Sequence, residues 1–480
     1  MRKAGIDLSS GTLLPDAAPT RRTLAVLGRA GSGKTQLLAD LARSLEAAGL
    51  EHAADEEEGR RQRGKHNLAV LAPTNKAASV LRRRGVAATT IHRILYTPLY
   101  HPDYERLADW LAGKASRPDI EGLAAGILDR AEASFRRHGS LPGALASAGL
   151  KGSDFIKGWR RRDAPLDIGL IDEASMLDER MLADLRELFG VLVLFGDPAQ
   201  LAPVGQGSGM VFDTMPKRDR LVLARVHRQE AGSPILELSE ALADPELDFD
   251  AFERLVHEAA ARDARIVIAA RVDADMMARA PVLVWRNATR VRLIHAFRRG
   301  HDAPEDSLLP GEPLICDGIE LPARHRRRRG DLEARGLVKG AQAIYLGPGR
   351  KPGFARLHVV GAEVPGVSAA AIIRIEAPDR EEPLIASAAR MGASFVHGAA
   401  ITIHKAQGSQ WPSVQVYAPD LFAASRSGRM EAGIPLWKRL AYVAITRAEA
   451  TLVWVTRPVL LRPRAPLGTA DLAPAHDSAA

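Results

Sequence analysis

The sequence predicts an α/β protein of two parallel-sheet lobes, each interrupted by an insertion. Three observations predict it. At 480 residues the chain exceeds one ordinary hydrophobic core, so two or three domains are expected. Short apolar runs, each followed by turn residues and helix-like sequence, occur in two successive series, the pattern of buried parallel strands. The first run ends in a glycine-rich turn with the spacing of a phosphate-binding loop.

Residues 1–20 are polar, and the first strand is then expected over Thr23–Leu27. A charged stretch, 51–65, reads as a solvated loop before a second strand, Leu68–Ala72. Ile168–Ile171 and Val191–Phe195 complete the first series. Between the second and third strands an excursion over 97–160 is too long for a simple crossover, so an inserted subdomain is expected there. Helical spacing over 233–263 suits a link between lobes. The second series opens at Arg265–Ile268 and Val282–Trp285 and resumes at Ala400–Ile403, Val414–Tyr417 and Leu452–Val455. In between, the Gly- and Pro-rich stretch 303–395 holds short strand-like pieces (Ala343–Leu346, Ala355–Val360, Ala371–Ile375) that suit a small β-barrel. The expected domains are therefore 21–232, 233–263 and 264–462, followed by a Pro/Ala-rich tail, 463–480, expected to be disordered.

Composition narrows the function. A formal charge of +8 from 66 basic and 58 acidic residues favours a polyanionic partner. A single cysteine, Cys316, excludes an intrachain disulfide and any Cys-based cluster site. No uncharged apolar run approaches the ~18 residues that span a bilayer, and the first residues lack a signal-peptide core. The expectation is a soluble, cytoplasmic protein with no membrane partner.

Gly28-Arg-Ala-Gly-Ser-Gly-Lys-Thr35 fits G-x-x-x-x-G-K-[ST] between a strand and a helix. Its glycines let backbone amides wrap a phosphate, Lys34 neutralises the β- and γ-phosphates, and Thr35 is placed to ligate magnesium. Asp172 and Glu173 follow the third strand, where a carboxylate pair faces the phosphate loop. Asp172 suits a magnesium ligand and Glu173 the polarisation of a water. After the fourth strand, Gln200 in Gly196–Val204 is placed to sense the γ-phosphate.

These segments, in this order, resemble the motifs of superfamily 1 helicases of the 5′-to-3′ branch, the RecD-like and phage Dda-like enzymes. GRAGSGKT is similar to motif I, Ala72–Ala78 to motif Ia, Thr90–Arg93 to the strand-contacting motif after it, IDEASM to motif II and GDPAQLAPVG to motif III. Arg225–Gln229 resembles the end of the first lobe, Val284–Asn287 the opening of the second, Ile403–Ser409 motif V and Tyr442–Ala448 motif VI.

The resemblance implies two RecA-like P-loop lobes, with an SH3-like barrel inserted in the second, moving 5′-to-3′ on single-stranded DNA with ATP and Mg2+. It implies a nucleotide held by Gly28, Ala30, Gly31, Ser32, Gly33, Lys34, Thr35 and Gln36 with Gly408 from the second lobe, and magnesium by Thr35 and Asp172. Lys34, Glu173, Gln200, Arg228 and Arg447 would be catalytic, Arg447 reaching across the cleft to the γ-phosphate. Pro73, Thr74, Asn75, Thr90, His92, Thr402 and His404 would grip the strand, with little sequence readout.

Tyr96, Tyr100, Tyr104 and Trp110 are open candidates for stacking on a base at a duplex junction, as is the Arg324–Arg329 run for phosphates. Residues 1–27 contain no glutamine, so no adenine contact is assigned. A monomer is expected. A non-unwinding translocase, an RNA helicase of the same branch and a nucleic-acid scaffold with an inactive ATPase are the alternatives.

Overall fold

The computed structural model describes residues 21–53, 66–100, 102–111, 113–120, 125–139, 144, 156–162, 164–201, 210–223, 232–320, 332–333, 335–362, 364–379, 382–389, 392–431, 433–470 and 472. The description that follows concerns those residues.

The first parallel sheet orders its strands Glu51–His52, Asn67–Ala72, Leu166–Ile171, Phe189–Gly196, Arg22–Leu27 and Arg220–Val222, with Ala88–Thr90 also paired to Asn67–Ala72. Both faces of this sheet are covered. Ala25, Leu27, Leu71, Ile171 and Leu194 enter one core, while Val26, Val70, Ala72, Leu170 and Val193 enter another on the opposite face. Alternation along each strand therefore feeds two cores, so the strands read as continuous apolar runs. The short edge strands Glu51–His52 and Arg220–Val222 lack such runs and were not legible in the sequence.

The second parallel sheet orders Ile266–Ala269, Ala448–Val455, Trp411–Tyr417, Val282–Val284 and Ala400–Thr402. Between the two sheets in chain order come the helices Pro234–Ala241 and Phe249–Arg262, whose buried residues join the second lobe's core. Proline starts the first, and Asp248 caps the second by accepting from the Ala251 amide at 2.7 Å. Phe249, Phe252, Val256 and Ala259 face inward at helical spacing.

Both insertions differ in detail from expectation. The first is framed by an antiparallel pair, Tyr96–Tyr100 with Ile156–Arg161, around the helices Pro102–Leu111 and Ala125–His138. Pro98 disguised its first strand. In the second, strands between Pro313 and His397 form a ring: Phe354–Val359, Gln342–Pro348, Pro313–Glu320, Gly392–His397 and Gly366–Ile375, the last pairing back to the first. This is a small closed barrel.

The tail departs from its expected disorder over 463–470. Arg464 pairs with Asp273 at 2.8 Å, Leu467 packs on the core beside Phe297, and the Gly468 carbonyl accepts from Arg279 at 2.8 Å. These contacts anchor a composition that would otherwise bury too little to order itself.

Candidate active site

The register of the first sheet brings the candidate residues together. Leu71 pairs with Ile171, Ile171 with Leu194 and Leu27 with Gly196, so three functional segments leave neighbouring strands at one carboxyl edge. In the phosphate loop Gly31 and Gly33 have φ of 81° and 82°, values that favour glycine. A Cβ on Gly28 would lie 2.3 Å from Ser32 Oγ, so the loop closes only around a bare backbone there. Lys34, which opens the helix Lys34–Ala47, donates to the carbonyls of Gly28 (2.6 Å) and Arg29 (2.8 Å). Ser32 Oγ is buried and has no hydrogen-bond partner among the described residues. Gln36 points away along its helix, donating to Asp40.

Across the loop, Thr35 Oγ1 donates to Asp172 Oδ2 at 3.5 Å, and Asp172 Oδ1 accepts from the Glu173 amide at 3.0 Å. Burial, with Glu173 alongside, pushes the Asp172 carboxyl up to about 7. Glu173 sits at φ 52°, a left-handed conformation that a non-glycine residue adopts at a cost of about 1–3 kcal/mol. Its Oε2 accepts from Gln200 Nε2 at 3.1 Å, and Gln200 Oε1 accepts from Ser175 at 3.2 Å. Asp172 and Thr35 form an oxygen donor set that fits magnesium, a hard cation held by few protein ligands plus phosphate oxygens. A cation there would relieve the two crowded carboxylates.

The second lobe meets this edge through the helix Leu436–Ile445, all ten of whose residues are buried. Tyr442 Oη accepts from the Ala30 amide at 2.9 Å and donates to Asp197 Oδ2 at 2.7 Å. Arg439 donates to the Pro198 carbonyl at 3.3 Å and to the Gln200 carbonyl, while Gln407 donates to the Leu201 carbonyl at 3.4 Å. Leu201 itself belongs to the second lobe's core. Tyr442, Arg439 and Asp197 were given no role from sequence. Their signal was the spacing of 439 and 442 on one helix face, masked by a sequence that reads as plain core.

Arg447 lies differently from expectation. It is buried within its own lobe, donating to the carbonyls of Val443 (3.1 Å) and Ser409 (3.0 Å) and to Thr446 Oγ1 (3.2 Å). Gly408, at φ 71°, faces the first lobe near Thr74, whose Oγ1 would be 3.5 Å from a Cβ built there. Arg228 lies outside the described residues, as do the Arg324–Arg329 run and the side chains of Asn75, Tyr100 and Tyr104.

Of the candidate strand contacts, Thr74 lies beside Gly408 of the second lobe. Thr74 caps the helix Asn75–Arg83, accepting from the Ala77 amide at 3.2 Å, and Thr90 pairs with Ala72 just before Pro73. Thr402 accepts from the Lys405 amide at 3.4 Å. Both capping hydroxyls use an acceptor lone pair, leaving their O–H free to donate to a phosphate. His92 lies tilted against Tyr96, ring centres 5.5 Å apart; the Tyr96 hydroxyl donates to Asp184 and its ring packs on the sheet's core, so Tyr96 is structural here. Partial burial, with Arg429 nearby, lowers the pKa of His404. Trp110 lies 5.6 Å under Arg117.

With this geometry in place, the profile of the AAA domain family matches residues 16–264, just over half of the chain. The chain belongs to the AAA domain family. The UvrD-like helicase C-terminal domain follows it over residues 397–455. That succession, an AAA domain followed by a UvrD-like helicase C-terminal domain, agrees with the order of motifs read from the sequence.

A conjugal transfer protein TraA of Rhizobium radiobacter is 25% identical over 94% of this chain and 37% of its own length. A probable conjugal transfer protein TraA of Sinorhizobium fredii is 23% identical with the same coverage. The chain thus spans little more than a third of these relatives. Among solved structures, a Pif1 helicase from Bacteroides with ADP-AlF3 and single-stranded DNA has 15% identity and a TM-score of 0.46, covering 93% of this chain and 91% of its own. Pif1 from Candida albicans has 16% identity and a TM-score of 0.47, covering 92% and 93%. No helix among the described residues is long and apolar enough to cross a membrane.

Proposed function

We propose that the chain is an ATP-driven motor that moves 5′-to-3′ on single-stranded DNA and separates duplex at junctions, acting as a monomer. The observation that carries this reading is the contact of the phosphate loop with the second lobe: Ala30 bonds directly to Tyr442. Nucleotide bound at that loop lies at a lobe–lobe joint, so gain and loss of the γ-phosphate change the joint and hence the spacing of strand contacts on either side. Lys34, Thr35 and the loop amides Gly31 to Gly33 hold the phosphates, with Gly28 allowing the close turn. Asp172 and Thr35 hold magnesium, which supplies charge neutralisation when bound. Glu173, oriented by Gln200, accepts the proton of the attacking water.

Arg447 reaches the γ-phosphate by exchanging the Ser409 carbonyl for it, and Arg228 assists from the first lobe. Pro73, Thr74, Asn75, Thr90 and His92 grip the strand from one lobe, Thr402 and His404 from the other. Two ion pairs, Arg93–Glu333 (3.3 Å) and Arg130–Glu382 (2.5 Å), link the first lobe to the barrel beside these contacts. Similarity to conjugal transfer proteins makes conjugal transfer the proposed setting.

The test is strand displacement on forked DNA carrying a 5′ or a 3′ tail, with an RNA fork in parallel. Unwinding from the 5′-tailed DNA is expected. Unwinding only from the 3′ tail overturns the direction, unwinding of RNA alone overturns the substrate, and phosphate release that single strands do not stimulate overturns the motor.

A further inference from the structure

One hydroxyl group of the second lobe touches two of the three segments that build the nucleotide site and reaches the third through them. Tyr442 Oη is 2.9 Å from the Ala30 amide in the phosphate loop and 2.7 Å from Asp197 Oδ2. Asp197 is fully buried and folds the turn behind it: its Oδ1 accepts from the Ala199 amide at 2.9 Å, and its carbonyl accepts from the Gln200 amide at 3.2 Å. That turn carries Gln200, which holds Glu173. Arg439, three residues before Tyr442 on the same helix, binds the Pro198 and Gln200 carbonyls of the same turn. The turn that orients the water-polarising glutamate is therefore fastened to the second lobe at three atoms, Asp197 Oδ2 and the carbonyl oxygens of Pro198 and Gln200.

The bonding pattern is directional. The Ala30 amide can only donate, so Tyr442 accepts there and its single proton goes to the Asp197 carboxylate. Burial and the neighbouring carboxylate push the Tyr442 phenol well above its ordinary range, which keeps that proton in place. A phenylalanine would fill the same space and make neither bond.

We propose that Tyr442 is a positioning residue for hydrolysis: its hydroxyl transmits the placement of the second lobe, through Asp197 and the 197–200 turn, to Gln200 and Glu173. The proposal rests on the reading that this cleft hydrolyses ATP, and Lys34→Ala separates the two.

The experiment measures DNA-stimulated ATP hydrolysis by Tyr442→Phe, Gln200→Ala and the double variant, with thermal melting of each. Displacing catalytic groups by an ångström or less lowers turnover about ten- to a hundredfold, so Tyr442→Phe is expected to lose that much kcat. KM for ATP is expected to stay within about twofold, because the phosphate-holding groups remain. The double variant is expected to be no slower than Gln200→Ala alone, since both losses act on one glutamate. Turnover of Tyr442→Phe within about twofold of the parent, or losses that multiply in the double variant, overturn the proposal. If Tyr442→Phe melts below the assay temperature, Tyr442→Phe with Asp197→Asn leaves no stranded carboxylate, and turnover at the parent rate in that pair overturns it equally. Hydrolysis retained in Lys34→Ala sinks the ATPase reading itself; hydrolysis lost there but intact in Tyr442→Phe sinks only the positioning role.

Discussion

The nucleotide site of the first lobe and the charged clusters around Asp420, Glu312 and Arg447 in the second treat their polar groups in opposite ways. In the first, the chemistry sits under strain: Asp172 is crowded and driven towards its neutral form, Glu173 holds a left-handed backbone, Lys34 rests on its own loop's carbonyls, and Ser32 Oγ is buried without a partner. In the second, several buried charges are satisfied from within. Asp420 accepts from the amides of Trp285 and Arg286, the Arg286 guanidinium and Thr289. Glu312 binds Arg298 and His397, and Arg447 binds backbone carbonyls. A site built to take up a charged ligand keeps unmet electrostatic demand, whereas a framework that must move as a body removes it.

Arg447 is the residue on which this contrast can break. If it leaves its internal bonds to meet the γ-phosphate, Arg447→Lys, which keeps the charge but loses the planar fork, lowers turnover about 10³–10⁵-fold with little change in melting temperature. Parent-like turnover with a lower melting temperature would make Arg447 part of the framework alone. On the other side of the cleft, Glu173→Gln is expected to cut hydrolysis about 10²–10⁴-fold while nucleotide binding, followed by a fluorescent analogue, is retained. Loss of binding in that variant would mean that the strained glutamate holds the site's shape rather than the water.

The same contrast explains what could be read in the sequence. The first lobe's site was legible because each functional group follows an apolar strand within a few residues and glycine marks the loop, so order along the chain is order along the sheet edge. The barrel was legible from its strand-like pieces at Ala343–Leu346, Ala355–Val360 and Ala371–Ile375, but its closure was not, since Pro313–Glu320 and Gly392–His397 lie far apart in sequence and gain meaning only by pairing. Tyr442, Arg439 and Asp197 passed as core and turn residues. Their roles arise from a joint between lobes some 240 residues apart, for which the sequence carries no local mark.

Arg439 tests the joint through its stability. Removing its guanidinium in Arg439→Ala strands the buried Gln200 carbonyl, at about 1–3 kcal/mol for such a group, and releases the exposed Pro198 carbonyl to solvent. A lower melting temperature is expected, and a variant that melts with the parent would show that the joint is held by packing around Leu201 instead.

The smallest effect concerns the second lobe's internal charges and their response to pH. Burial, only partly offset by Glu312, holds the His397 pKa below its ordinary 6.5, so the folded protein keeps this ring neutral. Its Nδ1 accepts from the Ala399 amide, which leaves Nε2–H to donate to Glu312 at 2.8 Å. As pH falls below 6.5 the unfolded chain takes up a proton that the folded one refuses, so stability declines with acidification. Burial raises the Glu312 carboxyl, but His397 and Arg298 outweigh it and hold it below 4.5; its contribution, present above that value, is lost only at still lower pH. Both groups act in the same direction, with His397 first. His397→Gln keeps a donor for Glu312 and removes the titration, so its melting temperature should fall less steeply than the parent's as pH drops below 6.5. An unchanged slope would place the acid sensitivity elsewhere and leave the cluster as a pH-indifferent brace between the barrel and the lobe that carries it.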